Sequence, residues 1–322
     1  MTTLLVASTG GHLKQLHQLH GRLSGVSGPF SWATFDTPQS RSLLAGEQVD
    51  FVPFVGGRDP ANVARNLAHA RRILKAREVD TLVSTGSAVA LPFFALGRAR
   101  GLTCHYIESA ARIEGPSVTG RMIRRIPGVN RYAQYASWAG DGDWAFRGSV
   151  FESFSARTAD PPSAIRSVVV SLGSYRGYGF PRLIRRLLEI LPADAEVLWQ
   201  TGDTDTSGFG IEAHEALPER ELTEAMRAAD VVVAHAGVGA ALAAFEVGKC
   251  PLLVPRRLAQ GEHVDDHQIQ IAEELAARGL AVSVDADELT LERLLEASAK
   301  AVDVRADPPP FETLDTRGVT AS

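Results

Sequence analysis

Residues 229–240 read Ala229-Asp230-Val231-Val232-Val233-Ala234-His235-Ala236-Gly237-Val238-Gly239-Ala240. A short β-branched run, a glycine turn and a helical pattern spell strand, turn, helix. Gly237 and Gly239 leave amides unobstructed at a helix start, a geometry able to cradle a phosphate. The same glycines could serve only to pack the helix on a sheet, and the stretch by itself leaves both roles open.

The pattern repeats outward in both directions. Upstream, Ser167–Ser171 (SVVVS) predicts a strand, followed by the small-residue loop Ser171-Leu172-Gly173-Ser174. An amphipathic helix then carries Leu183, Ile184, Leu187, Leu188 and Leu191. Further strands are predicted over Glu196–Gln200, Val231–His235 and Pro251–Pro255, with a helix over 267–278. Near the N-terminus, Leu4–Ala7 reads as a strand, and the helix after Ser8-Thr9-Gly10-Gly11 has Leu13, Leu16, Leu19 and Leu23 on one face. Strands over Phe30–Thr34, Phe51–Val55, Thr81–Ser84 and Thr103–Glu108 alternate with helices over Ala61–Arg77 and Val89–Arg100. This alternation means βαβ units on parallel sheets, an α/β chain. Residues 156–163 (ARTADPPS) break it and read as an exposed linker. The organisation expected is a domain over 1–155, the linker 156–163, a second domain over 164–305, and an extended or mobile tail over 306–322. A length of 322 residues suits two domains. Two such domains on one linker would enclose a cleft, the usual place for a ligand.

Composition narrows the class. With 45% hydrophobic and 22% charged residues the chain is an ordinary globular protein. A net charge of −5 argues against a nucleic-acid binder. It says nothing of a local basic patch, and Arg121, Arg124 and Arg125 with Met122, Ile123 and Ile126 could touch anionic lipid or form a plain surface helix. Cys104 and Cys250 stand far apart, which argues against a disulfide framework or a cysteine zinc site and for a reducing compartment. The start, MTTLLVASTGGH, lacks the features of a signal peptide, and no run nears the ~20 apolar residues of a membrane span. A cytoplasmic protein is expected, peripheral at the inner membrane face if the basic patch is used.

Several residues could carry chemistry. His12 stands where Ser8-Thr9-Gly10-Gly11 becomes helix, at the carboxyl end of the first strand, either as a site residue or as a solvent-facing turn residue. The run Pro255-Arg256-Arg257-Leu258-Ala259-Gln260-Gly261-Glu262-His263-Val264-Asp265-Asp266-His267-Gln268 is dense in hydrogen-bonding side chains after a buried strand. That density suits a polyol, each of whose hydroxyls needs a donor or acceptor. His263, Asp265 and His267 also have metal-ligand character, but a sugar role needs no metal and is the reading taken. Asp141-Gly142-Asp143 and Asp203-Thr204-Asp205 resemble cation-binding DxD tripeptides and are read as solvated turns.

Taken together, these residues resemble the family 28 glycosyltransferases. In the first half the resemblance rests on Ser8–His12, on Ile107-Glu108-Ser109 with Arg112, and on Pro116–Arg121 (PSVTGR). In the second it rests on His235–Gly239 (HAGVG), Gly248-Lys249 and Gly261–Gln268 (GEHVDDHQ). The resemblance implies the GT-B fold, two Rossmann-like doubly wound parallel-sheet domains facing a cleft. It implies a UDP-sugar donor on the C-terminal domain, with Ser171, Gly173, Ser174, His235, Gly237, Gly239 and Glu246 at the diphosphate and nucleoside. Asp266, His267 and Gln268 would contact the donor sugar, and Gly10, Gly11, Glu108 and Ser109 would form the acceptor side. The reaction implied is inverting, with no metal or other cofactor, and the acceptor a hydroxyl on a lipid-linked, polysaccharide or small-molecule precursor. One departure stands out. Where the family places Ser or Thr and then a ribose-binding Glu, this chain has Ala240 and Ala243, with Glu246 one turn further on.

A histidine titrating near ~6.5 suits the proton transfer from an attacking hydroxyl. His12 is the expected base, with Glu108 next in line. Two other readings stand beside transfer: a non-catalytic nucleotide-sugar-binding partner of a membrane glycosyltransferase, and a UDP-sugar 2-epimerase.

Overall fold

The computed structural model describes residues 2–26, 28–56, 60–140, 143–173 and 177–314. Asp141, Gly142 and Ser174, together with the tail beyond 314, lie outside them. The chain divides into two compact units. Unit 1 runs through Glu152 and takes back the chain from Pro308; unit 2 is Ser153–Asp307.

Unit 1 contains β1 (Thr2–Ala7), β2 (Leu23–Ser24), β3 (Phe30–Thr34), β4 (Val49–Phe51), β5 (Val79–Gly86), β6 (Thr103–Ile107), β7 (Val129–Ala133) and β8 (Ala145–Phe146). Seven of these form one sheet in the order β4-β3-β1-β5-β6-β7-β8, all parallel. The connecting helices are α1 (Gly11–His20), α2 (Pro38–Leu43), α3 (Pro60–Ala76), α4 (Ala90–Ala99) and α5 (Val118–Ile123). Leu13, Leu16 and Leu19 bury the inner face of α1. Leu23, expected on that face, instead lies in β2. The strand expected over Phe51–Val55 ends at Phe51, because Pro53 has no N–H to continue the ladder.

Unit 2 contains β9 (Phe154–Thr158), β10 (Ser167–Ser171), β11 (Glu196–Gln200), β12 (Ala213–His214), β13 (Val231–His235), β14 (Leu252–Val254), β15 (Val282–Ser283) and β16 (Lys300–Val304). Its six-stranded parallel sheet runs β12-β11-β10-β13-β14-β15. Its helices are α6 (Pro181–Ile190), α7 (Glu219–Ala228), α8 (Val238–Glu246), α9 (His267–Ala277) and α10 (Leu291–Ser298). On α6, Leu183, Ile184 and Leu187 face inward while Leu188 is exposed.

Two longer stretches also depart from the sequence reading. The linker expected over 156–163 is strand as far as Thr158, because β9 pairs antiparallel with β16. Ala156, Arg157 and Thr158 are exposed on that ribbon, so its composition looks like a linker's. The tail expected over 306–322 is anchored in its described part. There β17 (Phe311–Glu312) pairs with β2, and the Phe311 ring is fully buried against Tyr132. Arg22 Nε donates to the Pro309 carbonyl at 2.9 Å and ties the proline run to unit 1.

Candidate functional site

In a doubly wound sheet the crossovers leave on opposite faces where strand order reverses, which opens a crevice at the carboxyl ends of the two flanking strands. Unit 2 has that point between β10 and β13, and unit 1 has it between β1 and β5. The motifs singled out in the sequence sit at these strand ends.

At the unit 2 point, His235 Nδ1 lies 3.3 Å from the Ser171 carbonyl. A carbonyl only accepts, so Nδ1 carries the proton and donates across the switch point. Burial, then the charge of Arg256, lowers the His235 pKa to about 3, so the ring is neutral. Gly173 and Gly237 flank it. A Cβ at Gly173 would stand 2.6 Å from His235 Cε1, and one at Gly237 would stand 2.2 Å from Nε2. Gly237 has φ −96°, open to any residue, so its glycine is required by the neighbouring ring and not by backbone conformation. Its own amide donates to the His235 carbonyl at 2.7 Å. The donors left at this turn are the first amides of α8, those of Val238, Gly239 and Ala240, which have no intrahelical acceptor.

Arg256, which follows β14, is 1% exposed. Its Nη2 donates to the Leu172 carbonyl at 2.9 Å, and its guanidinium lies 5.7 Å from the Phe180 ring centroid. Burial lowers its pKa to about 10, against a smaller opposing effect of Glu262. Gln268 is also buried; its carboxamide oxygen accepts the Arg256 amide at 3.1 Å, leaving its Nε2 to donate. Glu262 accepts Arg182 Nε and Nη2, both at 3.0 Å, and the Arg257 amide at 3.0 Å. Asp285 accepts Arg182 Nη1 at 2.6 Å and also pairs with Arg257. This ion-pair network holds the 257–268 loop in place. Asp266 accepts the Leu258 amide at 2.9 Å, and His267 pairs with Asp265. Among the described residues, the ligand atoms of His263, Asp265 and His267 lie within 4.8 Å of one another.

Glu246 does not join this group. It ends α8, about 10 Å along the axis from Gly239 at 1.5 Å per residue. Ala243 packs into the core with Leu222 and Met226.

At the unit 1 point, His12 Nδ1 lies 2.8 Å from the Thr85 carbonyl and Thr85 Oγ1 donates back to the His12 carbonyl at 2.7 Å. Nδ1 therefore donates, and Nε2 holds the lone pair. Burial pulls the His12 pKa below its usual value, partly offset by the Thr85 bond. Gly10 has φ +82°, a conformation glycine adopts freely, and Gly11 begins α1. A Cβ at Gly86 would approach His12 Cε1 to 3.3 Å, and the next residue, Ser87, adopts φ +70°, uncommon outside glycine.

Glu108 and Ser109 are held in local hydrogen bonds. Glu108 is 1% exposed; Oε1 accepts the Ser109 amide at 3.0 Å, and Oε2 accepts the Ser117 amide at 3.0 Å and hydroxyl at 3.1 Å. Burial raises its pKa, and these bonds oppose the rise. Ser109 Oγ accepts Gln15 Nε2 at 3.2 Å. A carboxylate so occupied anchors the loop before α5 and is a poor base. The other acidic tripeptides are likewise engaged: Asp203 accepts the Gly177 amide at 2.6 Å, Asp205 the Ser207 amide at 3.0 Å, and Asp143 pairs with Arg124.

Unit 2 also has a cavity of about 460 Å³ lined by Arg227, Asp230, Lys249 and Lys300. It lies at the amino ends of β13 and β14, where α7, α8 and α10 terminate. Helix carboxyl ends disfavour an anion, and the crevice for one is at the opposite end of the sheet.

Sequence reading included Arg256 and Glu262 in the 255–268 run but missed Thr85, the burial of Arg256 and the pairing of Glu262 with Arg182. Thr85-Gly86-Ser87 after a buried strand was a usable signal. Burial of Arg256 and the pairing of residues 80 apart left none.

Residues 168–310 match the family described as Glycosyltransferase family 28 C-terminal domain. An enzyme of Verminephrobacter eiseniae, UDP-N-acetylglucosamine--N-acetylmuramyl-(pentapeptide) pyrophosphoryl-undecaprenol N-acetylglucosamine transferase, is 28% identical over 308 residues, 86% of this chain and 83% of its own. Over that segment the chain resembles family 28, and it is similar to this transferase over most of its length. A protein of the same name from Sorangium cellulosum is 29% identical over 350 residues, 95% of this chain and 82% of its own. Among solved structures, MurG of Acinetobacter baumannii aligns with a TM-score of 0.55 at 19% identity, over 92% of this chain and 89% of that one. Staphylococcus aureus MnaA, solved with UDP, gives 0.57 at 10% identity, over 97% and 92%. At these identities the likeness is one of fold, and the fold of this chain is α/β with two Rossmann-like parallel-sheet units, as in GT-B.

Proposed function

We propose that the chain is an inverting hexosyltransferase that moves a sugar from a UDP-sugar to the hydroxyl of a lipid-linked precursor, without a metal cofactor. The observation that carries this is the unit 2 switch point. The first turn of α8, the neutral His235 and the clamped 257–268 loop converge there inside the family 28 segment. The names of the relatives supply the substrate class.

Unit 2 would hold the donor, with first-turn amides of α8 on the diphosphate and Gln268 and His267 on the sugar. His12 Nε2 accepts the proton of the acceptor hydroxyl, and the hydroxyl oxygen bonds to the anomeric carbon opposite the departing UDP. The anomeric C–O bond breaks, its electron pair leaves on the β-phosphate, and the α8 dipole stabilises that charge. The configuration at carbon inverts. Exposed Val118 and Met122 beside Arg121 and Arg125 give α5 and its exit a lipid-facing character; Ile123, grouped with them in the sequence, is core.

The test is thermal unfolding of the full chain in EDTA with a panel of nucleotides and nucleotide sugars. UDP and at least one UDP-sugar raise the midpoint above ADP or GDP, as expected for ligands that bind only the folded state. No shift with any nucleotide would overturn the donor assignment.

A further inference from the structure

Arg256 carries a full positive charge into the interior, and nothing in the described structure neutralises it directly. Among the described residues no carboxylate lies within ion-pair distance, and Nε has no hydrogen-bond partner. Glu262 is the nearest anionic influence, but both its oxygens are already held by Arg182. The remaining contacts are the Leu172 carbonyl and the face of Phe180. An isolated buried charge is costly, and such groups are ordinarily paired.

Its position says what would pair with it. Arg256 leaves β14 and reaches Leu172, just past the end of β10, so it crosses beneath the end of β13, the strand between them in the sheet. The turn it passes is the one that starts α8. A guanidinium and a helix amino end acting on one crevice favour an anion of more than one charge.

We propose that Arg256 is a built-in cation for the donor's diphosphate, taking the electrostatic part that a divalent ion plays elsewhere. The assignment rests on the donor reading above and adds the residue that sets its charge selectivity. Arg257, next in sequence, does not share the role: it is directed to Asp285.

The test titrates UDP and uridine against the full-length wild type, Arg256→Met and Arg256→Lys, in EDTA, with ligand-observed NMR for the weaker ligand. Arg256→Met should lose tenfold or more in UDP affinity with uridine affinity unchanged, and Arg256→Lys should recover most of the loss. Equal weakening of UDP and uridine would reduce Arg256 to a support for the Leu172 loop and overturn the proposal. Unchanged UDP binding would overturn it as well. If Arg256→Met does not fold, the lysine variant decides: UDP affinity falling as far as uridine affinity contradicts a charge role, and UDP affinity within about threefold of wild type supports it. Failure of the wild type to bind UDP would instead sink the donor reading itself.

Discussion

Thr85 presents a carbonyl to His12 Nδ1, and that contact selects the tautomer whose Nε2 can take a proton. Burial keeps the ring neutral to lower pH than a free imidazole. We expect His12→Ala to lower kcat by about 10² or more while donor affinity stays nearly unchanged, with His12→Asn alike because an amide is no base. The pH profile follows from the sign of the shift. The base is active when unprotonated, so kcat/KM holds its plateau down through pH 6.5 and falls only below it. A His12→Asn variant of near-normal kcat, or an acid limb above pH 6.5, would contradict the assignment. Glu108 is no substitute, since three donors already occupy its oxygens. The sequence exposed His12 through its glycine neighbours, but not Thr85, 73 positions away. Arg256 and Arg257 looked alike in a polar loop, and only folding separates the buried one from its ion-paired neighbour.

The turn from β13 into α8 depends on space around one ring. Gly237→Ala would drive a methyl into His235, and we expect a stability loss of about 1–3 kcal/mol, the usual cost of overpacking, together with weaker UDP binding. In a His235→Ala background the same change should cost little; urea midpoints of the four proteins check this. Equal cost in both backgrounds would mean that the glycine serves something other than the ring. Strands β10, β11 and β13 occupy the residues the sequence predicted; for β10 and β13 this is because a strand buried on both faces reads as an apolar run. The ribbon of β9 with β16 and the short β17 were not legible. Their strand character comes from partners more than 140 residues away, and the outer residues of β9 are polar.

Both units reverse strand order once, and each reversal is spanned by a histidine reaching a carbonyl on the neighbouring strand's end: His12 to Thr85, His235 to Ser171. The βαβ rhythm made two such sheets legible, whereas their strand order, and hence these reversal points, emerged only with the fold. The two histidines differ in their surroundings. His12 keeps the Nε2 lone pair proposed to meet an acceptor, while His235 is enclosed by Gly173 and Gly237. The chain also returns to unit 1 after completing unit 2, so the last described strand belongs to the first unit. For the proposed metal-free, inverting transfer from a UDP-sugar, the decisive observation is the anomeric configuration of the product. The full chain is incubated in EDTA with α-linked UDP-hexoses and a membrane lipid extract, and the glycosidic linkage is read by proton NMR. Acceptor-dependent release of UDP and a β-linked sugar are expected. An α-linked product, or release that requires added Mn²⁺ or Mg²⁺, would contradict the proposed transfer.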